Sequence, residues 1–168
     1  MFSKMGTWCI FDLMFDVMNC VICQKLENHY SGAGSSSIYE FDNSLVVLGE
    51  HQFYKYYCMV LAKECVREVH HLPVKLRNNL MEEVFSVGAF LEEWTGCKKI
   101  NYSCLGNAVP HIHWHIFPRY SDDPDFKMSP WLHFNRFKEF ELDSNQVKQR
   151  ANEMFKELRK YLAKREMY

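Results

Sequence analysis

The sequence predicts an α+β fold: a mainly antiparallel five-stranded sheet with a central helix and a C-terminal helix. Three observations carry this. Five short segments rich in branched and aromatic residues read as strands, the first two and the last two consecutive along the chain. A long stretch between the third and fourth repeats its apolar residues every three or four positions. A second such stretch closes the chain, with Lys and Arg on its other face.

The elements follow in order. "SIYEFD" (37–42) and "SLVVLGE" (44–50) flank Asn43, a turn former. "YYCMVLAK" (56–63) is the third strand. The central helix covers about 74–94, with Leu76, Leu80, Val84, Val87, Leu91 and Trp94 on one stripe. Pro73 suits its first turn and Gly96 its end. "KKINYSCL" (98–105) and "HIHWHIFP" (111–118) are the fourth and fifth strands. The last helix spans about 145–165 on Val147, Ala151, Met154, Leu158 and Tyr161, capped by Ser144 or Asp143. "SGAGSSS" (31–37) is a connector, because it lacks the Lys-Ser/Thr ending of a phosphate-binding loop. The stretch 121–143 is loop-rich but aromatic, and is expected to pack over something.

Size and charge narrow the possibilities. A chain of 168 residues suits one domain with a real core. A net charge of −1 argues against a nucleic-acid partner. Seven cysteines, an odd number, lie mostly in apolar segments, which points to a reducing, cytoplasmic setting rather than a disulfide scaffold. Residues 1–17 contain an apolar stretch, but Asp12 and Asp16 interrupt it. It is too short and too charged to span a membrane, so no membrane partner is expected. Residues 1–17 read as an N-terminal extension or start-site artefact, and 18–168 as the single domain.

"PHIHWHIFPRY" (110–120) carries the chemistry. On a strand, side chains alternate between faces. His111, His113 and His115 would therefore share one face, with Ile112, Trp114 and Ile116 turned to the core. Imidazoles two residues apart would have Cβ atoms roughly 7 Å apart. A flat strand cannot easily bring the outer pair onto one metal ion, although catalytic zinc with ligands from elsewhere remains an alternative. Neutral imidazole is also a good nucleophile near neutral pH, and its neighbours can orient it or donate to phosphoryl oxygens.

The run His111-Ile112-His113-Trp114-His115-Ile116-Phe117 resembles the signature of the histidine-triad family of nucleotide hydrolases and transferases. "NYSCLGNAVPHIHWHIFPRYSDDP" and "EHQFYKYYCMVLAKECVREVHHLP" resemble its bacterial diadenosine-tetraphosphate-hydrolase-like branch, so that about residues 18–131 are covered. The resemblance implies attack by His113 on the α-phosphorus of a dinucleoside polyphosphate or related conjugate, forming a nucleotidyl-histidine. It implies that His115 contacts the phosphate and that His111 orders the cluster. It places Asn101, Asn107 and Glu50 against the phosphate or ribose, and implies a homodimer; independently of it, a loop of backbone N–H groups around Gly106 would suit an anion. Trp131 reads as a base-stacking residue, a subunit contact or core packing.

Two positions depart from the family. Tyr57 stands where a fourth histidine is usual, and Cys65 replaces the histidine that follows the third strand. Cys20 and Cys23 form a C-x-x-C, half a zinc site. With Tyr57 in place the usual quartet is incomplete, leaving Cys20, Cys23 and His111 as metal candidates unless another cysteine substitutes. No cofactor is expected to be required. A nucleotide-binding regulatory module with weak turnover is the alternative to an enzyme.

Overall fold

The computed structural model describes residues 20–165. The expectation for residues 1–17 lies outside them. The chain runs α1 (Val21–Tyr30), β1 (Ser37–Glu40), β2 (Ser44–Leu48), β3 (Cys58–Ala62), α2 (Val74–Thr95), β4 (Lys99–Ser103), β5 (His113–Arg119), a 3-10 segment (Pro130–Phe140) and α3 (Ser144–Arg165). The strands form one sheet in the order β1-β2-β3-β5-β4, and every neighbouring pair is antiparallel. The predicted α+β class, strand count and two long helices are all present.

Local chemistry sets the boundaries. α2 ends on Gly96 in the left-handed region (φ 65°), where a Cβ would be strained. Asp143 caps α3: its carboxylate accepts from the N–H groups of Asn145 and Gln146, and the Gln146 amide oxygen accepts from the Asp143 N–H. β3 starts two residues later than its apolar run, because Tyr56 takes a positive φ of 64° and turns the chain just before it.

Each face of the sheet has its own cover. Val46, Leu48, Val60, Trp114 and Ile116 pack with Leu80, Val84, Val87 and Leu91 of α2 and with Met154 and Leu158 of α3. On the opposite face Leu45, Val47 and Leu61 pack with Ile22 and Leu26 of α1. β2 is therefore buried on both sides, which is why "SLVVL" shows no polar alternation. Among the described residues no helix is long and apolar enough to cross a membrane.

Candidate active site

On the α1 side of the sheet lies a cavity of about 590 Å³. Its floor is Tyr57, Met59 and Leu61 of β3 and its approach, with His113 and His115 of β5. The register explains the grouping, since Leu61 faces His113 and Met59 faces His115 across the ladder. α1 supplies one wall through Val21, Ile22 and Lys25. The turn Leu105–Val109 supplies another, and the 3-10 segment a third through Trp131, Phe134, Phe137 and Lys138.

All three histidines lie on the α1 side of the sheet, with Ile112, Trp114 and Ile116 packed on the other, but the His111 ring does not join the other two. β5 begins only at His113. Ile112 instead bonds the chain after β3, donating to the Val66 carbonyl and accepting from the Ala62 N–H. This turns the fully buried His111 ring out of the cavity. What His111 gives the cavity is its backbone carbonyl, which accepts from Nδ1–H of His113 at 2.6 Å. That bond fixes the tautomer, leaving a free lone pair on Nε2 of His113, the arrangement a nucleophile requires.

His115 has a different partner. The Tyr57 hydroxyl lies 2.6 Å from its Nδ1. Burial, with the charges of His113 and His51 it would meet, lowers the His115 pKa to about 3, so the ring stays neutral. Tyr57 is placed by Gln52, whose amide oxygen accepts from the Tyr56 N–H while its Nε2 donates to the Tyr57 carbonyl. His51, which the sequence suggests is an exposed loop residue, is half-buried between the rings of Tyr57 (4.6 Å) and Phe137 (3.8 Å). Burial lowers its pKa to about 4.

The His111 ring belongs to a second cluster. Its Nε2–H donates to the Ala62 carbonyl at 2.8 Å, so Nδ1 presents a lone pair. Facing it are Cys20 Sγ at 3.4 Å and Cys23 Sγ at 3.6 Å. Cys65 completes the group, and the four ligand atoms lie within 4.8 Å of one another. Three thiols and an imidazole oriented by a carbonyl are the donor types of a Cys₃His metal site. Cys65, a departure from the family in sequence, is the cysteine that joins the group.

The other expected site residues divide. Gly106, in the left-handed region (φ 70°), Asn107 and Glu50 line the cavity, with Glu50 paired to Lys25 at 2.8 Å. Asn101 does not line it. It sits on the correct sheet face opposite Phe117, but its side-chain oxygen accepts from Arg119. Arg119 is not a surface cation: it is 1% exposed and bonded to Asp123, Asn101 and the Met128 carbonyl. This knot ties down the chain leading into the 3-10 segment, so the aromatic stretch does pack over something, namely the cavity. Trp131 donates from Nε1 to Ser103 at 3.0 Å and stands edge-on to His115. Sequence reasoning did not find Met59, Phe134 or Lys138 as cavity residues. The alternation of 57, 59 and 61 was the available signal for Met59, and it becomes useful only once β3 is known to lie beside β5; Phe134 and Lys138 had none beyond the aromatic character of their stretch.

Known proteins share this fold. Among solved structures, the chain is similar to a histidine triad protein from Bradyrhizobium japonicum, at 24% identity and TM-score 0.61, covering 78% of this chain and 94% of that one. It is similar to a zinc-bound histidine triad family protein from Mycobacterium smegmatis, at 24% identity and TM-score 0.60, covering 89% and 97%. A hypothetical histidine triad nucleotide-binding protein from Sulfolobus tokodaii gives 16% identity and TM-score 0.61, covering 84% and 93%. The comparison with curated proteins returns no match. These likenesses establish the fold; the HIT domain profile, which matches residues 32–122, reaches further. Because that match spans more than half of the chain and contains all three histidines, the protein belongs to the histidine-triad (HIT) domain family.

Proposed function

We propose that this protein hydrolyses nucleotide conjugates by covalent catalysis at His113. The observation that carries this is the 2.6 Å bond from His113 Nδ1–H to the His111 carbonyl, which leaves Nε2 as a lone pair. Nε2 attacks the α-phosphorus and the leaving group departs. Water then attacks the nucleotidyl-histidine and frees the nucleotide. The Gly106–Asn107 turn supplies donors for phosphoryl oxygens, His115 a further one. Apolar Val21, Ile22 and Phe134 suit the faces of a base, and Glu50 suits ribose hydroxyls. Dinucleoside polyphosphates and nucleoside phosphoramidates both offer the required α-phosphorus. Intact mass after rapid quenching tests the reading: a mass gain of one nucleotidyl group, absent from His113→Ala, is expected. Tight binding with neither adduct nor product would favour a regulatory nucleotide-binding module.

The cage of Cys20, Cys23, Cys65 and His111 is proposed to hold a structural zinc ion. Four protein ligands fill a tetrahedral ion, so zinc would tie the start of α1 to the catalytic strand and take no part in the chemistry. A zinc hydrolase built on the cavity histidines has less support, because this cage is the one His/Cys/Asp/Glu group close enough for a metal among the described residues. Native mass spectrometry is expected to find one zinc per chain. Cys65→Ser should weaken binding by roughly 100-fold or more and lower the melting temperature. Full retention of zinc by that variant would remove Cys65 from the site.

The free edge of β4, with exposed Tyr102 on it and exposed Phe85 of α2 beside it, supports the expected homodimer.

A further inference from the structure

We propose that Cys65 is a site of reversible oxidation: a hydroperoxide that reaches it from solvent closes a Cys23–Cys65 disulfide, which empties the metal cage and loosens the α1 wall of the cavity. The inference rests on the reading of Cys20, Cys23, Cys65 and His111 as a zinc cage and gives that cage a regulation.

Three observations carry it. The first is access. Cys20 is 3% exposed, Cys23 8%, and the His111 ring is fully buried. Cys65 alone of the four is partly open to solvent, on the link between β3 and α2. An oxidant therefore meets the cage at this sulfur first.

The second is a partner thiol. The four ligand atoms lie within 4.8 Å of one another, and Cys23 is in hydrogen-bond contact with Cys65. An oxidised cysteine is trapped as a disulfide when a resolving thiol is this close.

The third is position. Val21 and Ile22, the two residues between Cys20 and Cys23, are cavity wall, and so is Lys25 one turn further along α1. Whatever holds or frees the cage sulfurs holds or frees that wall.

Zinc, when bound, keeps its thiol ligands as thiolates, the form that attacks a peroxide. The Cys65 sulfur bonds one peroxide oxygen, and the O–O bond breaks with its electron pair leaving on the other oxygen. Cys65 is then a sulfenic acid. The Cys23 sulfur attacks Cys65, forming the S–S bond, and the S–O electron pair leaves as hydroxide. The two released oxyanions take protons from solvent. The two sulfurs together give up two electrons, and the peroxide receives them. Cys20 and His111 remain, two donors where a tetrahedral ion needs four.

The consequence falls on binding. After oxidation α1 is joined to the link beyond β3 through Cys23, but Cys20 is no longer joined to His111, so Val21 and Ile22 lose one of their two anchors. His113 keeps its orientation, because its Nδ1–H bond goes to the His111 backbone and the His111 ring stays on the Ala62 carbonyl.

The test treats the zinc-loaded full chain with hydrogen peroxide. Zinc release is read with a metallochromic indicator, disulfides by peptide mapping, and affinity for adenosine 5′-monophosphate by calorimetry. Wild type should release its zinc, become two hydrogens lighter, yield a Cys23–Cys65 peptide and bind the nucleotide about 10-fold more weakly. Dithiothreitol with added zinc should reverse all four changes. Cys65→His keeps four donors but removes the outer thiol, so it should hold zinc and release it to peroxide at least about 10-fold more slowly. Cys104→Ser, which removes an exposed thiol outside the cage, should respond as wild type does. Zinc retained through oxidation, a Cys20–Cys23 disulfide instead, or equal sensitivity in Cys65→His overturns the proposal. Unchanged nucleotide affinity after complete zinc release overturns its link to the cavity. A fresh protein that takes up no zinc would instead sink the cage reading, and a reduced, zinc-loaded protein that binds no nucleotide would count against the nucleotide reading.

Discussion

Replacing His113 with alanine is expected to lower nucleotide-conjugate turnover by at least about 10⁴-fold, the scale seen when a covalent nucleophile is removed. No other side chain in the cavity can take its place. His115 has its Nδ1 taken by the Tyr57 hydroxyl, the His111 ring faces the cysteine cage, and His51 is stacked between Tyr57 and Phe137. The variant also leaves the His111 carbonyl without its donor, at a cost of about 1–3 kcal/mol. A melting curve alongside the assay separates that loss from the catalytic one. His115→Ala should behave differently. It removes a phosphoryl donor but spares the nucleophile, so the adduct still forms, about 10²–10³-fold more slowly. Turnover that survives His113→Ala with an intact fold would end the covalent reading.

The largest effect on stability is expected at Arg119. Its Nε donates to Asp123 at 2.9 Å, and Nη1 donates to Asn101 at 3.1 Å and to the Met128 carbonyl at 3.0 Å. The guanidinium also lies over the Tyr54 ring at 4.7 Å. Arg119→Met would leave a mostly buried Asp123 carboxylate and two further acceptors without their donor, at a cost of about 3–5 kcal/mol. Arg119→Lys should recover little, because a single ammonium cannot serve three acceptors in a planar fork. Denaturant unfolding measures the loss. In either variant the roof over the cavity should loosen as well, raising KM more than it lowers kcat. A change within about 0.5 kcal/mol, typical of an ordinary surface substitution, would show the knot to be dispensable.

The sequence discloses what is written locally. The stripes of α2 and α3, the Gly96 stop and the apolar half of "HIHWHIF" each follow from spacing within a few residues. The rest depends on which strand lies beside which. β3 and β5 are neighbours although α2 and β4 separate them in the chain, and that adjacency alone puts Tyr57 against His115 and Cys65 near His111. Asn101 shows the limit of alternation: it reaches the correct face, but the Arg119 guanidinium claims its side chain. His51 and Arg119 read as surface residues because isolated polar letters in loops usually are. Packing by the aromatic 3-10 segment and the chain leading into it buries both.

His111 serves two masters through different parts of itself. Its ring faces the thiols, whereas its backbone carbonyl orients His113, and any amino acid has a carbonyl. The first histidine of the triad is thus spelled as histidine for the cage, and only the second and third are spelled for the chemistry. The motif is two overlapping words that share a letter. A chain that kept His113 and His115 but replaced His111 would read as a broken motif while retaining its nucleophile.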